Sequence, residues 1–122
     1  MRSRASGLEQ KKNLIAWQLY LKNLRAKGET IPSDAVPARA ENLVGLPPTI
    51  GYVGDQDLFC DENIAFFKRL EASNVPTEFK VIKGAYHAVE TIAPKSKVGR
   101  ESWEFILNAF AYAVDNYTKK QP

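Results

Sequence analysis

The sequence predicts an α/β fold built on a parallel strand–helix–strand unit, with one helix before the unit and one after it. Three observations carry this. Two short apolar runs, residues 49–53 and 77–82, are bounded by Pro and Gly and suit strands. The segment between them has helical periodicity and is long enough for a crossover, which parallel strands need and a hairpin does not. The segments before and after the unit repeat their apolar residues at the helical period.

The elements follow in order. Residues 8–27 read as a helix, because Leu14, Trp17, Leu21 and Leu24 recur at helical spacing while Ile15 and Leu19 widen the apolar face. Gly28 is placed to end it. Residues 28–48 hold Gly28, Pro32, Pro37, Gly45, Pro47 and Pro48 and read as an ordered connection. Thr49-Ile50-Gly51-Tyr52-Val53 is the first strand. Residues 61–73 form the crossover helix. Ile64, Phe67 and Leu70 make its face beside Phe66, with Asp61 and Glu62 in the first turn, where the helix dipole favours acids. Asn74 and Pro76 supply its stop. Thr77-Glu78-Phe79-Lys80-Val81-Ile82 is the second strand, and Gly84 breaks it. The last helix spans about residues 100–118, with Trp103, Ile106, Leu107, Phe110, Val114 and Tyr117 on its apolar face. One domain over residues 1–122 is the expectation.

Composition narrows the class. Hydrophobic residues make up 44% of the 122 and charged residues 25%, ordinary values for a globular domain. No apolar run approaches the roughly 20 residues that span a bilayer. The basic start MRSRASGLEQKK lacks the apolar stretch of a secretory signal. Cys60 is the single cysteine, so no internal disulfide forms. A cytoplasmic protein without membrane contact is expected. The net charge of +3 combines 17 basic with 14 acidic residues. The basic ones gather at the ends (Arg2, Arg4, Lys11, Lys12, Lys119, Lys120) and at Lys95, Lys97 and Arg100. No zinc-finger spacing or aromatic-basic stripe accompanies them, which argues against nucleic-acid binding. No cofactor or metal site is expected.

In parallel sheets, functional groups gather past the C-terminal ends of the strands. Gly54-Asp55-Gln56-Asp57 follows the first strand, and Gly84-Ala85-Tyr86-His87 follows the second. If the strands are neighbours, an acid and the chain's single histidine meet at one sheet edge. An Asp that accepts a hydrogen bond from a His ring sets its tautomer and stabilises the imidazolium. Spacing alone leaves two alternatives open: a surface histidine, and an aspartate that merely caps the next helix.

The segment from Asp34 to Asp57 resembles the hormone-sensitive-lipase-like branch of the α/β-hydrolases. Pro37, Ala38, Arg39, Ala40, Leu43, Gly45, Leu46, Pro47, Pro48, Gly54, Asp57, Asp61 and Glu62 match its pattern. Gly84-Ala85-Tyr86-His87-Ala88-Val89 is similar to that branch's G-A-F-H-G-F element, and Trp17, Tyr20 and Leu21 to its W-x-x-Y-L. The resemblance covers about residues 13–115. It implies a partial α/β-hydrolase fold, with Asp57 as triad acid and His87 as triad base. Asp55 is the less favoured acid, because the family varies there. Asp61 and Glu62 match a helix-start motif and take a structural role. Leu58 and Phe59 stand where the family has Pro and Leu, and Ala88-Val89 where it has Gly-Phe, which puts the local loop geometry in question.

In this family the nucleophilic serine sits in a G-x-S-x-G elbow that precedes the acid and the histidine. Ser3, Ser6, Ser33, Ser73, Ser96 and Ser102 all lie outside such a motif. Cys60 is poorly placed to substitute, and no H-G-G-G oxyanion segment is present. The expectation is therefore the C-terminal part of a carboxylesterase or lipase that acts on small carboxylic esters when complete and is inactive alone. It would be a domain excised from a longer protein, a truncated gene product or one piece of a split enzyme. Two strands leave open edges, so pairing with a missing N-terminal half is expected, or a dimer through strand edges or through the Leu14–Leu24 helix. The competing reading is a non-catalytic oligomerisation or protein-interaction module.

Overall fold

A computed structural model of the chain describes residues 7–118. Arg2, Ser3, Arg4, Ser6, Lys119 and Lys120 lie outside the described residues. The chain forms two compact units, Met1–Asn42 and Leu43–Pro122.

In the first unit, α1 (Gly7–Tyr20) and α2 (Lys22–Ala26) occupy the single helix expected over 8–27. The interruption is slight. Leu21 N–H still donates to Trp17 C=O at 3.0 Å, and Arg25 N–H to Leu21 C=O at 3.0 Å, so the helical ladder passes through residue 21. The stop is the one the sequence signals. Gly28 adopts φ +67°, Gly28 N–H reaches Arg25 C=O and Glu29 N–H reaches Leu24 C=O, both at 3.1 Å. This is the paired closure of a helix that ends in a left-handed residue. Only the C-terminal part of the expected apolar face is buried, at Leu21 and partly at Leu24. Leu21 is buried, whereas Leu14, Ile15 and Leu19 are exposed. A one-turn 3-10 helix, Pro37–Arg39, lies in the connection that follows.

The second unit holds β1 (Thr49–Gly54), α3 (Cys60–Ala72), β2 (Thr77–Ile82), α4 (Val89–Ile92) and α5 (Lys97–Tyr117). β1 and β2 pair in parallel, as the sequence predicts, with Thr49 opposite Thr77 and Gly54 opposite Ile82. Strand alternation divides the packing between two faces. Toward α3, the Phe67 ring stacks on Phe79 of β2 with centroids 4.2 Å apart. Toward α5, Tyr52 of β1 meets Phe105 edge-on at 6.5 Å, and Lys80 of β2 pairs with Glu101 at 3.0 Å. The innermost cluster is Ile82, Ala85 and Val89, with Tyr52, Ala93 and Val98 packed around it.

Helix ends follow local chemistry. Asn74 takes φ +58° after α3. Asn74 N–H then reaches Glu71 C=O and Val75 N–H reaches Leu70 C=O, both at 3.0 Å, repeating the closure seen at Gly28. α5 begins three residues before its expected start, because Ser96 caps it: the Ser96 hydroxyl accepts from Gly99 N–H at 3.0 Å. The face of α5 that turns inward also differs from expectation. Gly99, Ser102 and Ala109 are buried, whereas Trp103, Leu107, Phe110, Val114 and Tyr117 are exposed. Gly99 lets the start of the helix lie against Ala93 and Pro94, where a Cβ would stand 2.2 Å from Ala93 C=O, while Phe105 reaches Tyr52 of the sheet. α4 lies within the stretch expected to be a loop.

Candidate active site

The ends of the two parallel strands bring two loops together, and the backbone sets how closely. Gly54 closes β1. A Cβ there would stand 2.1 Å from Ala85 C=O, so only glycine lets the loops approach this far. Asp55 N–H donates to Ile82 C=O and Gln56 N–H to Ala85 C=O, each at 3.0 Å. Gly84 turns the second loop at φ +80°. Its N–H donates to Asp55 Oδ1 at 2.8 Å, and Gln56 Nε2 donates to the same oxygen at 2.9 Å. Asp55 therefore ties the two loops.

Asp57 is 8% exposed. Its N–H donates to Gly54 C=O at 3.1 Å, and its C=O accepts from Cys60 N–H at 3.2 Å. Oδ1 accepts from Phe59 N–H two residues on, at 2.9 Å, an Asx-type turn that holds the side chain still. Oδ2 is left for the partner loop, where His87 Nδ1 lies 2.9 Å away. A carboxylate accepts and does not donate, so Nδ1 carries the proton in this pair. In neutral imidazole the Nε2 lone pair is then available as a proton acceptor.

His87 is held by what flanks it. Ala85 is fully buried and Val89 nearly so, while Ala88 takes the left-handed conformation at φ +56° before α4. These anchors raise Tyr86 and His87 to the surface. The His87 side chain is 69% exposed, and the Phe59 ring meets it edge-on with centroids 5.5 Å apart. The Trp103 indole N–H donates to Glu90 C=O at 3.1 Å, fastening α4 behind the loop.

Neighbouring groups show how crowded this sheet end is. Burial first, and the Asp57 carboxylate second, raise the Glu62 carboxyl above its usual range, although the residue as a whole is exposed. Burial first and Glu90 second push the Tyr52 phenol up. Glu90 Oε2 is buried without a hydrogen-bond partner.

Asp57 and His87 thus stand together. Asp61 and Glu62 lie in the first turn of α3, and Cys60 is buried at its start. Two contributions were not visible from pattern: the Asp55 bond to Gly84, and the Phe59 ring against His87. The available signal was the pair of acids at 55 and 57. Two residues apart, one can face the partner backbone and the other the ring.

The described serines have other occupations or places. Ser96 caps α5 and donates to Ala93 C=O at 2.7 Å. Ser102 is fully buried and donates to Val98 C=O at 2.8 Å. Ser73 closes α3, and Ser33 lies in a turn of the first unit. No helix among the described residues is long and apolar enough to cross a membrane.

The family described as alpha/beta hydrolase fold matches this chain over residues 2–91. Among solved structures, the chain is similar to the esterase LipW from Mycobacterium marinum. Identity is 29% and the TM-score 0.68, over 85% of this chain and 31% of that one. It is similar to a bacterial heroin esterase at 29% identity and TM-score 0.58, over 63% of this chain and 24% of that one. An esterase/lipase from an uncultured bacterium matches at 25% identity and TM-score 0.54, over 65% and 28% of the two chains. The chain therefore spans about a third or less of these structures. No curated protein matches it.

Proposed function

The chain belongs to the α/β-hydrolase fold family, within its hormone-sensitive-lipase-like esterases, and from that premise we propose that Asp57 and His87 are the acid and base of a serine carboxylesterase triad. The 2.9 Å approach of His87 Nδ1 to Asp57 Oδ2 carries this reading. The substrate class is a small-molecule carboxylic ester. His87 Nε2 takes the proton of a serine hydroxyl as that oxygen attacks the ester carbonyl, and returns it to the departing alcohol. Water then repeats the cycle on the acyl-enzyme. Asp57 holds the ring in the Nδ1–H tautomer and stabilises the imidazolium formed at each half-reaction.

These 122 residues are the portion that follows the nucleophile in chain order. The serine and the oxyanion donors come from a segment outside them, and oxyanion donors alone contribute about 3 kcal/mol each to the transition state. By itself the chain is inactive.

The test is turnover of p-nitrophenyl acetate and butyrate. The 122-residue protein is expected to hydrolyse neither ester faster than its His87→Ala variant does. Joined to a nucleophile-bearing esterase segment, the chain supports turnover, and His87→Ala then lowers kcat by on the order of 10³-fold or more. Robust turnover by the isolated chain that disappears in His87→Ala would overturn the absence of a nucleophile. Equal activity of the joined protein with and without His87 would overturn the role of the histidine.

A further inference from the structure

One hydrogen bond does not fix an imidazole. The 2.9 Å contact between Nδ1 and Asp57 Oδ2 holds one corner of the His87 ring. The side chain is 69% exposed, so packing restrains the rest only weakly. The terminal torsion of histidine is broad and roughly two-fold. A half-turn about it exchanges Nδ1 with Cδ2 and Nε2 with Cε1, which leaves a carbon facing Asp57 and moves the proton acceptor. The hydrogen bond resists this turn, and a second contact that prefers one setting of the ring reinforces it.

Phe59 supplies such a contact. Its ring meets the imidazole edge-on, at a centroid distance of 5.5 Å and an interplanar angle of 72°, within the range at which aromatic quadrupoles attract. That attraction depends on which edge faces which ring, so it changes when the imidazole turns. Phe59 is itself held. Its N–H donates to Asp57 Oδ1 at 2.9 Å. Its C=O accepts from Asn63 N–H at 3.1 Å and from Asn63 Nδ2 at 2.8 Å. The residue is half-buried.

The acid and the phenyl ring therefore meet His87 as one piece. The turn over residues 57–59 that stills the carboxylate also aims the ring, whereas His87 arrives from a loop 30 residues away. One part grips Nδ1 and the other bears on the imidazole plane. A leucine, which the hormone-sensitive-lipase-like pattern carries at this position, has no quadrupole to offer, so the contact belongs to this chain rather than to the pattern.

We propose that Phe59 is a positioning residue for His87: its ring, carried on the turn that fixes the Asp57 carboxylate, selects the imidazole setting in which Nδ1–H faces Asp57 and Nε2 is free to take a proton. This rests on the reading of Asp57 and His87 as acid and base.

His87 is the single histidine of the 122 residues, so nuclear magnetic resonance of the whole chain shows one imidazole. The wild-type ring is expected as the Nδ1–H tautomer in one setting, with Overhauser contacts between its carbon-bound protons and the Phe59 ring. Phe59→Leu keeps the backbone N–H that binds Asp57 and replaces the ring by an aliphatic group. It is expected to speed exchange of the Nδ1 proton with water by roughly 2- to 10-fold, the range that an aromatic pair supports, and to populate a second ring setting. Phe59→Tyr restores the wild-type behaviour. Methyl signals of Ile82 and Val89, both buried, show that each variant is folded.

A wild type without Overhauser contacts between Phe59 and His87 overturns the proposal before any variant is made. Unchanged exchange and ring setting in Phe59→Leu, with or without a lower unfolding midpoint, reduces Phe59 to packing and overturns it too, while the acid–base reading survives. Phe59→Tyr behaving as Phe59→Leu does overturns the aromatic ring as the cause. A wild-type ring that lacks the Nδ1–H tautomer sinks the acid–base reading and this inference together.

Discussion

A methyl group at position 54 would stand 2.1 Å from the Ala85 carbonyl oxygen, and that oxygen also accepts from Gln56 N–H. Neither partner is the tip of a flexible side chain, so the clash can be relieved only by parting the two loops. Gly54→Ala is expected to cost about 2–3 kcal/mol, read as a lower urea midpoint at unchanged slope. A variant as stable as wild type would contradict the close approach. The candidate acid and base were legible in the sequence because each follows a strand. Which aspartate faces the ring was not legible from spacing. Asp55 and Asp57 differ in their partners, Gly84 N–H for one and His87 Nδ1 for the other, and those partners lie 29 and 30 residues away. The Phe59 ring beside His87 was hidden for the same reason.

Helix ends are decided closer to home, and there the sequence was readable. Gly28 and Asn74 tolerate left-handed backbone, and each closes its helix with the same pair of hydrogen bonds. Ser96 was the missed signal at the start of α5. Its hydroxyl accepts from Gly99 N–H, and Ser96→Ala is expected to cost about 1 kcal/mol, with Ser96→Asp largely retaining the cap. Thermal unfolding of the two variants checks this; equal losses in both would point to packing rather than capping. Periodicity identified α5 as a helix but pointed to the wrong face as the buried one. Hydrophobicity ranks residues by transfer from water. Close approach is set by size: a Cβ at Gly99 would stand 2.2 Å from Ala93 C=O, and Gly99, Ser102 and Ala109 are the buried residues of α5.

At the scale of the whole molecule, the candidate site belongs to one unit. Asp57, Phe59, Gly84 and His87 all lie within Leu43–Pro122, as does the buried cluster of Ile82, Ala85 and Val89. A fragment of residues 43–122 is therefore expected to retain the Nδ1–H tautomer of His87, seen in long-range proton–nitrogen correlations of the imidazole ring. Asp57→Asn in the same fragment shifts the ring toward the mixture of tautomers typical of free imidazole. A fragment whose ring already shows that mixture would mean that residues before 43 are needed to form the pair. The likeness to esterases extends over 24–31% of the three compared chains.

The sequence by itself determined the order and type of the main elements, the parallel pairing of the two strands, and membership of the hydrolase family. These rest on local periodicity, on end signals a few residues long, and on a contiguous run of matching residues. The family resemblance implied Asp57 rather than Asp55 as the acid, whereas tertiary structure alone decided which face of α5 is buried and how near the two loops come. Each of those outcomes depends on groups from distant parts of the chain meeting within hydrogen-bond or van der Waals distance. No window of sequence contains both members of such a pair.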